Sequence, residues 1–224
     1  MAAPTPDETR AFFDAIAPQY DRVYGVSGAE TRRKLAAVMA RFPRAPADVL
    51  DLGIGTGREL PALLDAGHRV TGVDVATRML AEHARRSRRA KIVTGDFYAR
   101  LPFAERTFDV ALALFGALAH PPDGGAHARL ADELARVLRS GGLFFAEVPS
   151  PGWLARLPSA PPSGDRAAWR VGEREARHED RALGASITIV VPSAEEWRAS
   201  MSVLDPTIEE AGDELWIVGR ARSV

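Results

Sequence analysis

The sequence predicts an α/β fold in which helices cover both faces of a doubly wound, mostly parallel sheet. Short, almost uninterrupted apolar segments alternate with segments of helical periodicity, and such apolar strands are typical of parallel sheets buried on both faces. A glycine-rich turn follows the first apolar segment, as at the ligand-binding edge of these sheets. Two final strand segments separated by a short turn predict an antiparallel pair at the C-terminus.

Two helices are predicted ahead of the sheet. The first is expected to begin near Thr9 and to end or kink at Pro18. Its apolar face consists of Phe12, Phe13, Ile16 and Tyr20. The second helix is expected over residues 29–42, because Pro43 and Pro46 follow it and proline cannot continue a helix.

Strands and helices then alternate along the chain. Apolar segments bounded by turn residues predict strands at residues 48–54, 69–75, 91–97, 108–115 and 143–148. Helical periodicity predicts helices at residues 59–66, 77–86 and 126–139. Ser140, Gly141 and Gly142 are expected to end the last of these helices, because glycine adopts the left-handed conformation of a helix C-terminus at little cost.

The last third of the chain departs from this alternation. Residues 149–181 are rich in proline and show little periodicity, which predicts an excursion over one end of the sheet with short helices at most. Beyond it we expect a strand at residues 186–191, a helix opened by the capping-box pattern from Ser193 to Glu196, and strands at residues 203–209 and 214–220. Two interpretations stay open for the tryptophans of this region, an apolar wall over a pocket or a separate small core: Trp153, Trp169 and Trp197.

Composition excludes several classes of function. The chain has 224 residues, no cysteine and a net charge of −1. The absence of cysteine therefore excludes a disulfide scaffold, a cysteine-ligated zinc site and a cysteine nucleophile. Nucleic acid is not an expected partner, because the chain carries no excess of basic residues. No apolar segment reaches the length of about 20 residues that a membrane span requires, and the N-terminus lacks a secretory-signal pattern. We expect one cytoplasmic domain over residues 1–224, with no membrane partner.

The segment DLGIGTG at residues 51–57 carries the strongest functional signal. It joins a predicted strand to a predicted helix, where glycines let a ligand touch the backbone and the helix start offers N–H groups to an anion. Asp74 ends the next predicted strand, where a carboxylate can accept hydrogen bonds from two ribose hydroxyls. The spacing is G-x-G-x-G, with Arg58 where the dinucleotide pattern G-x-G-x-x-G has its third glycine. These residues predict an adenosine compound without a pyrophosphate.

Motifs in matching order resemble those of the class I S-adenosylmethionine-dependent methyltransferases. VLDLGIGTGREL is similar to the glycine-rich first motif, VTGVDVATRML to the second, and GDF to the adenine-binding segment. FDVALALFGALAH and LARVLRSGGLFFAEV resemble the segments around the fourth and fifth strands. The resemblance covers about residues 48–148 and implies a seven-stranded, Rossmann-like methyltransferase fold with S-adenosyl-L-methionine as cofactor.

The resemblance also implies roles for individual residues. Asp51 would help to hold the cofactor's ammonium group, and Asp74 would bind its ribose hydroxyls. The other residues implied to contact the cofactor are Tyr20 at the carboxylate, Gly53, Gly55 and Gly57 at the methionine half, Val75, Met79, Asp96 and Phe97 at the adenine, and Leu114 and Phe115 at the sulfonium. We expect residues 9–42 to form a mobile helical lid and residues 149–192 to form a substrate-binding excursion.

The implied reaction is transfer of a methyl group to an O, N or C nucleophile. His120, just after the fourth predicted strand, is the candidate general base, and no metal is expected. The segment LFGA at residues 114–117 lacks the Asn/Asp-Pro-Pro-aromatic pattern of enzymes that methylate bases or glutamine. We therefore expect a small, partly apolar acceptor and a monomer or homodimer. The alternatives are a non-enzymatic cofactor-binding regulator or partner subunit and an NAD(P)-dependent oxidoreductase.

Overall fold

The computed structural model describes residues 3–23, 28–43, 45–86 and 89–222. Within these residues the strands form two sheets, and the predicted α/β architecture is confirmed. The strands are β1 (Asp48–Leu52), β2 (Arg69–Asp74), β3 (Lys91–Thr94), β4 (Phe108–Ala113), β5 (Leu138–Pro149), β6 (Arg166–Arg170), β7 (Glu175–Asp180), β8 (Ala185–Val190), β9 (Thr207–Ala211) and β10 (Glu214–Arg220).

The larger sheet has seven strands in the described part of the chain, in the order β3-β2-β1-β4-β5-β10-β9. The contacts among β1 to β5 are parallel. The predicted antiparallel C-terminal pair is confirmed, because β10 lies antiparallel to both β5 and β9. The strand order reverses between β1 and β4, and ligands of open α/β sheets bind in the crevice at such a reversal.

Helices cover both faces of this sheet. Phe144 and Phe145 are neighbours on β5 and point to opposite faces, so they belong to different apolar clusters. Among the described residues, no helix has both the length and the apolar character needed to cross a membrane. The helices are α1 (Pro6–Ile16), α2 (Tyr20–Val23), α3 (Gly28–Met39), α4 (Leu60–Asp65), α5 (Thr77–Arg86), α6 (Ala126–Val137), α7 (Pro151–Arg156) and α8 (Ala194–Ser200).

The N-terminal helix α1 begins earlier than the sequence predicts. Thr5 caps it, because the Thr5 hydroxyl accepts a hydrogen bond from the Glu8 N–H while the Glu8 carboxylate accepts one from the Thr5 N–H. Pro18 lies in a short 3₁₀ turn that separates α1 from α2, as the proline predicts. Helix α1 packs against α5 and β8 through a shared apolar cluster.

The prediction of an irregular excursion at residues 149–181 was wrong in one respect. This region contains the short helix α7, but it also contributes β6 and β7, which pair antiparallel with β8 in a three-stranded sheet. The predicted strand at residues 186–191 is confirmed as β8. Sequence periodicity missed β6 and β7 because their fully buried apolar positions are the small residues Ala167 and Ala176, which give a weak hydrophobic signal.

The predicted role of Gly141 and Gly142 as a helix stop was also wrong. Helix α6 ends at Val137 with an extended residue at its C-cap, and β5 runs through both glycines. Gly141 has a φ of +74°, and a Cβ on Gly142 would lie 2.8 Å from a backbone oxygen. The register of β4 against β5 shifts in this region, so the glycines accommodate an irregular strand start.

Candidate active site

A cavity of about 830 Å³, counting the space at its open mouth, lies where the chain leaves β1, β2 and β4 at their carboxyl ends. It sits at the reversal of strand order, where the fold predicts a ligand. It brings together all the predicted site residues except Asp51 and Gly57. The residues that line it are Pro6, Thr9, Phe13, Tyr20, Gly53, Ile54, Gly55, Thr56, Arg58, Glu59, Asp74, Val75, Met79, Asp96, Phe97, Tyr98, Leu114, Phe115, Gly116, Ala117, His120 and Pro122.

The glycines of the loop after β1 serve different purposes. All three have positive φ values, which the turn requires and which glycine adopts without strain. A Cβ on Gly55 would have no heavy atom nearer than 3.8 Å, so this position keeps the backbone open to the cavity. A Cβ on Gly57 would lie 2.4 Å from the His83 ring. Gly57 therefore permits close helix packing and lines a neighbouring cavity instead.

The Asp74 carboxylate is held in place by the backbone. Its Oδ2 accepts a hydrogen bond from the Gly55 N–H at 2.7 Å, and its Oδ1 accepts one from the Ala76 N–H at 2.8 Å. Burial raises the pKa of Asp74 to about 6, although these N–H donors act in the opposite direction. Asp74 therefore connects the glycine loop to the end of β2 and presents a fixed carboxylate at the cavity wall.

The predicted adenine side of the cavity is assembled from two loops. Asp96 Oδ1 accepts a hydrogen bond from the Tyr98 N–H at 2.8 Å, which fixes the turn after β3. The Phe97 ring lies beside the Tyr98 ring with centroids 4.8 Å apart. Val75 and Met79, at the start of the β2–α5 connection and on α5, line the same cavity. These positions form an apolar slot with one carboxylate beside it.

The loop after β4 presents an aromatic ring to the cavity. Phe115 has a φ of +54°, a conformation that costs free energy in a residue with a side chain and that concentrates at functional sites. The Gly116 N–H donates to the Glu147 carbonyl oxygen at 3.1 Å and anchors the turn. The Arg58 guanidinium lies between the rings of Phe115 and Tyr20, 4.7 and 4.8 Å from their centroids. This stacking connects the N-terminal segment to the glycine loop.

Two acidic residues flank the glycines and are deeply buried, and Arg58 beside them is half-buried. Asp51 is 2% exposed and Glu59 6% exposed. Each has one carboxylate oxygen without a hydrogen-bond partner, and one guanidinium nitrogen of Arg58 also lacks a partner. Burial raises the pKa of Asp51, and it raises that of Glu59 to about 7. No sequence motif identifies Glu59, and Arg58 stands out in the sequence only as a departure from the dinucleotide pattern.

His120 faces the cavity in a defined tautomer. Its Nδ1 lies 2.9 Å from the Thr188 carbonyl oxygen, and a carbonyl can only accept, so Nδ1 carries the proton of the neutral ring. Nε2 then keeps its lone pair. Burial lowers the pKa of His120 to about 4, and its ring lies edge-on to the ring of Phe13. A neutral imidazole of this kind can accept a proton.

The other aromatic candidates are structural. Trp197 is fully buried in the main apolar cluster, with the His127 ring tilted against it at a centroid distance of 4.2 Å. The His127 Nε2 lies 3.0 Å from the Leu118 carbonyl oxygen. Trp153 packs against a separate small cluster beside α7. None of the three tryptophans discussed above is among the residues that line the cavity, which favours the interpretation of Trp197 and Trp153 as core residues.

Comparison with known proteins agrees with this geometry. Residues 49–142 match the family model described as a methyltransferase domain. A demethylmenaquinone methyltransferase from Beutenbergia cavernae is 37% identical over 151 residues, which is 66% of this chain and 61% of that protein. The enzyme of the same name from Corynebacterium kroppenstedtii is 37% identical over 61% of this chain and 58% of its own length. The chain thus spans about three fifths of the length of these curated relatives.

Solved structures share the fold across almost the whole chain. The CcbJ methyltransferase from Streptomyces caelestis superposes with a TM-score of 0.79 at 21% identity and covers 97% of this chain and all of that one. CalS10, described as an amino pentose methyltransferase from Micromonospora echinaspora, has a TM-score of 0.71 at 21% identity and covers 90% of this chain and 96% of its own. Residues 49–142 thus match a methyltransferase domain, and the chain has the fold of these solved methyltransferases.

Proposed function

We propose that this chain transfers a methyl group from S-adenosylmethionine to a small, neutral, partly apolar molecule. The observation that carries the proposal is that an open glycine loop, a fixed carboxylate and a neutral histidine line the same cavity. Glycine loop and carboxylate form one side of it, and the uncharged residues around His120 form the other. This division suits one charged nucleoside and one uncharged acceptor in contact with each other.

The residues present fit S-adenosylmethionine. Asp74 has lone pairs left to accept hydrogen bonds from two ribose hydroxyls, and the open position at Gly55 admits a ligand against the backbone. Arg58 has one guanidinium nitrogen without a partner, and its sequence neighbour Glu59 has one carboxylate oxygen without a partner, which suits the opposite charges of an amino-acid end. When bound, this cofactor supplies an electrophilic methyl carbon on a sulfonium. The chain's own task is then to align the acceptor and exclude water.

His120 is the proposed general base. Its Nδ1 is held by the Thr188 carbonyl oxygen, so Nε2 accepts the proton that a hydroxyl acceptor loses as it is methylated. The pKa of about 4 keeps the ring unprotonated at neutral pH. Aromatic neighbours, Phe13 above all, exclude water from this proton transfer.

The distribution of charge favours an uncharged acceptor. The charged residues that line the cavity are Arg58, Glu59, Asp74 and Asp96, and all of them lie on the proposed cofactor side. The lining residues near His120 are uncharged: Pro6, Thr9, Phe13 and Pro122. An acceptor with a formal charge would be desolvated here without a partner, at a cost of several kcal/mol. A neutral ring with a hydroxyl group meets no such cost.

We also propose functions for the two flanking segments. Residues 9–42 form a lid, which is supported by the contribution of Thr9, Phe13 and Tyr20 to the cavity lining. Residues 149–192 contribute to acceptor binding, which is supported by the contact of Thr188 with His120. A cytoplasmic location, a single domain and a monomeric or homodimeric state stay predictions.

The test combines cofactor binding with methyl transfer. Calorimetry compares S-adenosylmethionine with NAD, and transfer of a labelled methyl group is measured with a naphthohydroquinone, a simple phenol and an amino sugar as acceptors. The names of the relatives suggest the quinone-related and amino-sugar members of this panel. We expect S-adenosylmethionine alone to bind and the hydroxylated rings to be methylated. Binding of NAD would contradict the proposal, and cofactor binding without transfer to any acceptor would favour a regulator.

A further inference from the structure

The acceptor side of the cavity contains a polar side chain that the proposed reaction does not use. Thr9, on α1, lines the cavity, and the oxygen of its hydroxyl group is buried. Among the residues that the structure describes, this hydroxyl has no hydrogen-bond partner. A buried hydroxyl without a partner lowers the stability of a fold, so its presence at the cavity wall points to a ligand that completes it.

Helix α1 itself does not use this hydroxyl. A threonine inside a helix can donate from its hydroxyl to a carbonyl oxygen of the preceding turn, and the carbonyl four residues before Thr9 is that of Thr5. This oxygen accepts the Thr9 backbone N–H at 3.0 Å but not the Thr9 hydroxyl. Valine has the shape of threonine and a similar helix propensity, so stability alone would favour valine at this position.

The position of Thr9 on α1 assigns its hydroxyl to the acceptor side. Thr9 and Phe13 are four residues apart and therefore share one face of the helix. The Phe13 ring lies edge-on to the rings of His120 and Tyr20, with centroids 5.4 and 6.5 Å away. Tyr20 follows the C-terminal end of α1 and stacks on Arg58 of the cofactor side. Thr9 lies one helical turn from Phe13 in the opposite direction, away from these cofactor residues.

The rest of the wall near His120 is apolar. Pro6, Phe13 and Pro122 line it, and their side chains have no hydrogen-bonding atom. Within the described part of the chain, the Thr9 hydroxyl and His120 Nε2 are thus the two side-chain groups of this wall that can hydrogen-bond to an acceptor. A pocket with few polar groups on an apolar wall orients its ligand through those groups. A hydroxyl can donate as well as accept, so Thr9 suits either a hydroxyl or a carbonyl oxygen.

We infer that Thr9 is a specificity-determining residue and that its hydroxyl binds a second oxygen of the methyl acceptor. The preferred acceptor is then a neutral ring with two oxygen substituents, one at His120 Nε2 and the other at the Thr9 hydroxyl. The inference rests on the proposed function, which identifies this side of the cavity as the acceptor side. Because the contact is the same before and during methyl transfer, it lowers KM and leaves kcat nearly unchanged.

A matched series of acceptors tests this in the wild-type protein. α-Naphthol carries one hydroxyl, and three dihydroxynaphthalenes carry a second hydroxyl ortho, meta or para to it on the same ring. Their binding to the complex with S-adenosylhomocysteine is measured by calorimetry, and methyl transfer from S-adenosylmethionine by steady-state kinetics. Oxygen is excluded, because dihydroxy rings oxidise. We expect at least one dihydroxynaphthalene to have a Kd and a KM about tenfold lower than those of α-naphthol, with similar kcat values.

Three variants assign the preference to the hydroxyl. Thr9→Val removes the hydroxyl and keeps the shape of the side chain, and we expect it to reduce the preference for the second oxygen by about tenfold, in Kd and in KM alike. Thr9→Ser keeps a hydroxyl and should retain most of the preference. Thr207→Val makes the same change at an exposed position of β9, and this matched control should leave the preference unchanged. The ratio between two acceptors cancels any effect of a variant that is common to both.

Two results would overturn the inference. One is equal affinity of the wild-type protein for α-naphthol and all three dihydroxynaphthalenes, which decides the question even where Thr9→Val fails to fold. The other is a folded Thr9→Val protein that keeps the preference of the wild type. Absence of methyl transfer to every ring would instead overturn the proposed function, while the Kd values would still decide the role of Thr9, so the two failures are distinguishable.

Discussion

The carboxylate of Asp74 offers the most direct test of the proposed cofactor site. Its oxygens accept hydrogen bonds from the N–H groups of Gly55 and Ala76 at 2.7 and 2.8 Å, and a carboxylate has about four lone-pair positions. The Val75 N–H also acts on this carboxylate as a hydrogen-bond donor, and the lone pairs that remain can accept from ribose hydroxyls. A hydrogen bond to a charged group contributes about 1.5–3 kcal/mol. Because the two contacts share one carboxylate, we expect Asp74→Ala to weaken cofactor binding by about 3 kcal/mol, or about 150-fold in Kd.

The same substitution also removes the acceptors of two backbone N–H groups, so the assay has to separate the ribose contact from a disturbed loop. Calorimetry with S-adenosylhomocysteine and its 2′-deoxy analogue, each against wild type and Asp74→Ala, forms a double-mutant cycle. Loss of the 2′-hydroxyl should weaken binding to the wild type by about tenfold and have almost no effect in the variant. Equal losses in both proteins, or unchanged affinity of Asp74→Ala, would refute the ribose assignment.

Three further substitutions test other parts of the structure. His120→Ala should reduce turnover by about 100-fold and leave the Kd of S-adenosylhomocysteine within about twofold, as measured by steady-state kinetics and calorimetry; an unaffected rate would remove His120 from the mechanism. Lys34→Met should lower the free energy of unfolding in denaturant by about 3–5 kcal/mol, because it leaves Glu147 buried without its cation. Adding Glu147→Leu should recover most of that loss, and no recovery would contradict this account. Asp14→Ala should cost about 1 kcal/mol by the same assay, since the Asp14 carboxylate accepts the Arg78 N–H at 2.7 Å and caps α5 from α1; a change below about 0.3 kcal/mol would argue against that cap.

The main sheet could be predicted because its strands are apolar throughout. Every position of β4 is buried, so its signal does not depend on which face a residue occupies. The small sheet lacked such a signal, since alanines occupy the buried apolar positions of β6 and β7. The start of β5 was mistaken for a helix end because a glycine with positive φ fits both a helix C-cap and an irregular strand. The local sequence therefore does not show whether Gly141 ends a helix or lies in an irregular strand.

The predicted site residues that line the cavity follow from one topological rule, that loops at the carboxyl ends of parallel strands meet at one edge of the sheet. The rule gives positions but not side-chain directions. Gly57 fills a packing position against His83, and Arg58 finds its stacking partners in Tyr20 and Phe115, which are distant in sequence. Such partners depend on how separate segments fold together, so no local motif could identify them.

Burial of the acids around the glycine loop lowers the stability of the fold, and these acids lie beside the candidate cofactor site. Asp51 and Glu59 are buried with unpaired oxygens, an arrangement that a protein selected for stability alone would replace with apolar residues at no loss. A ligand that binds only the folded state stabilises that state by a free energy that grows with the logarithm of its concentration relative to Kd. The methyl donor carries a sulfonium charge that the demethylated product lacks. Because three acids and one arginine line the cavity, we expect it to bind the donor more tightly than the product, and comparison of their Kd values by calorimetry checks this.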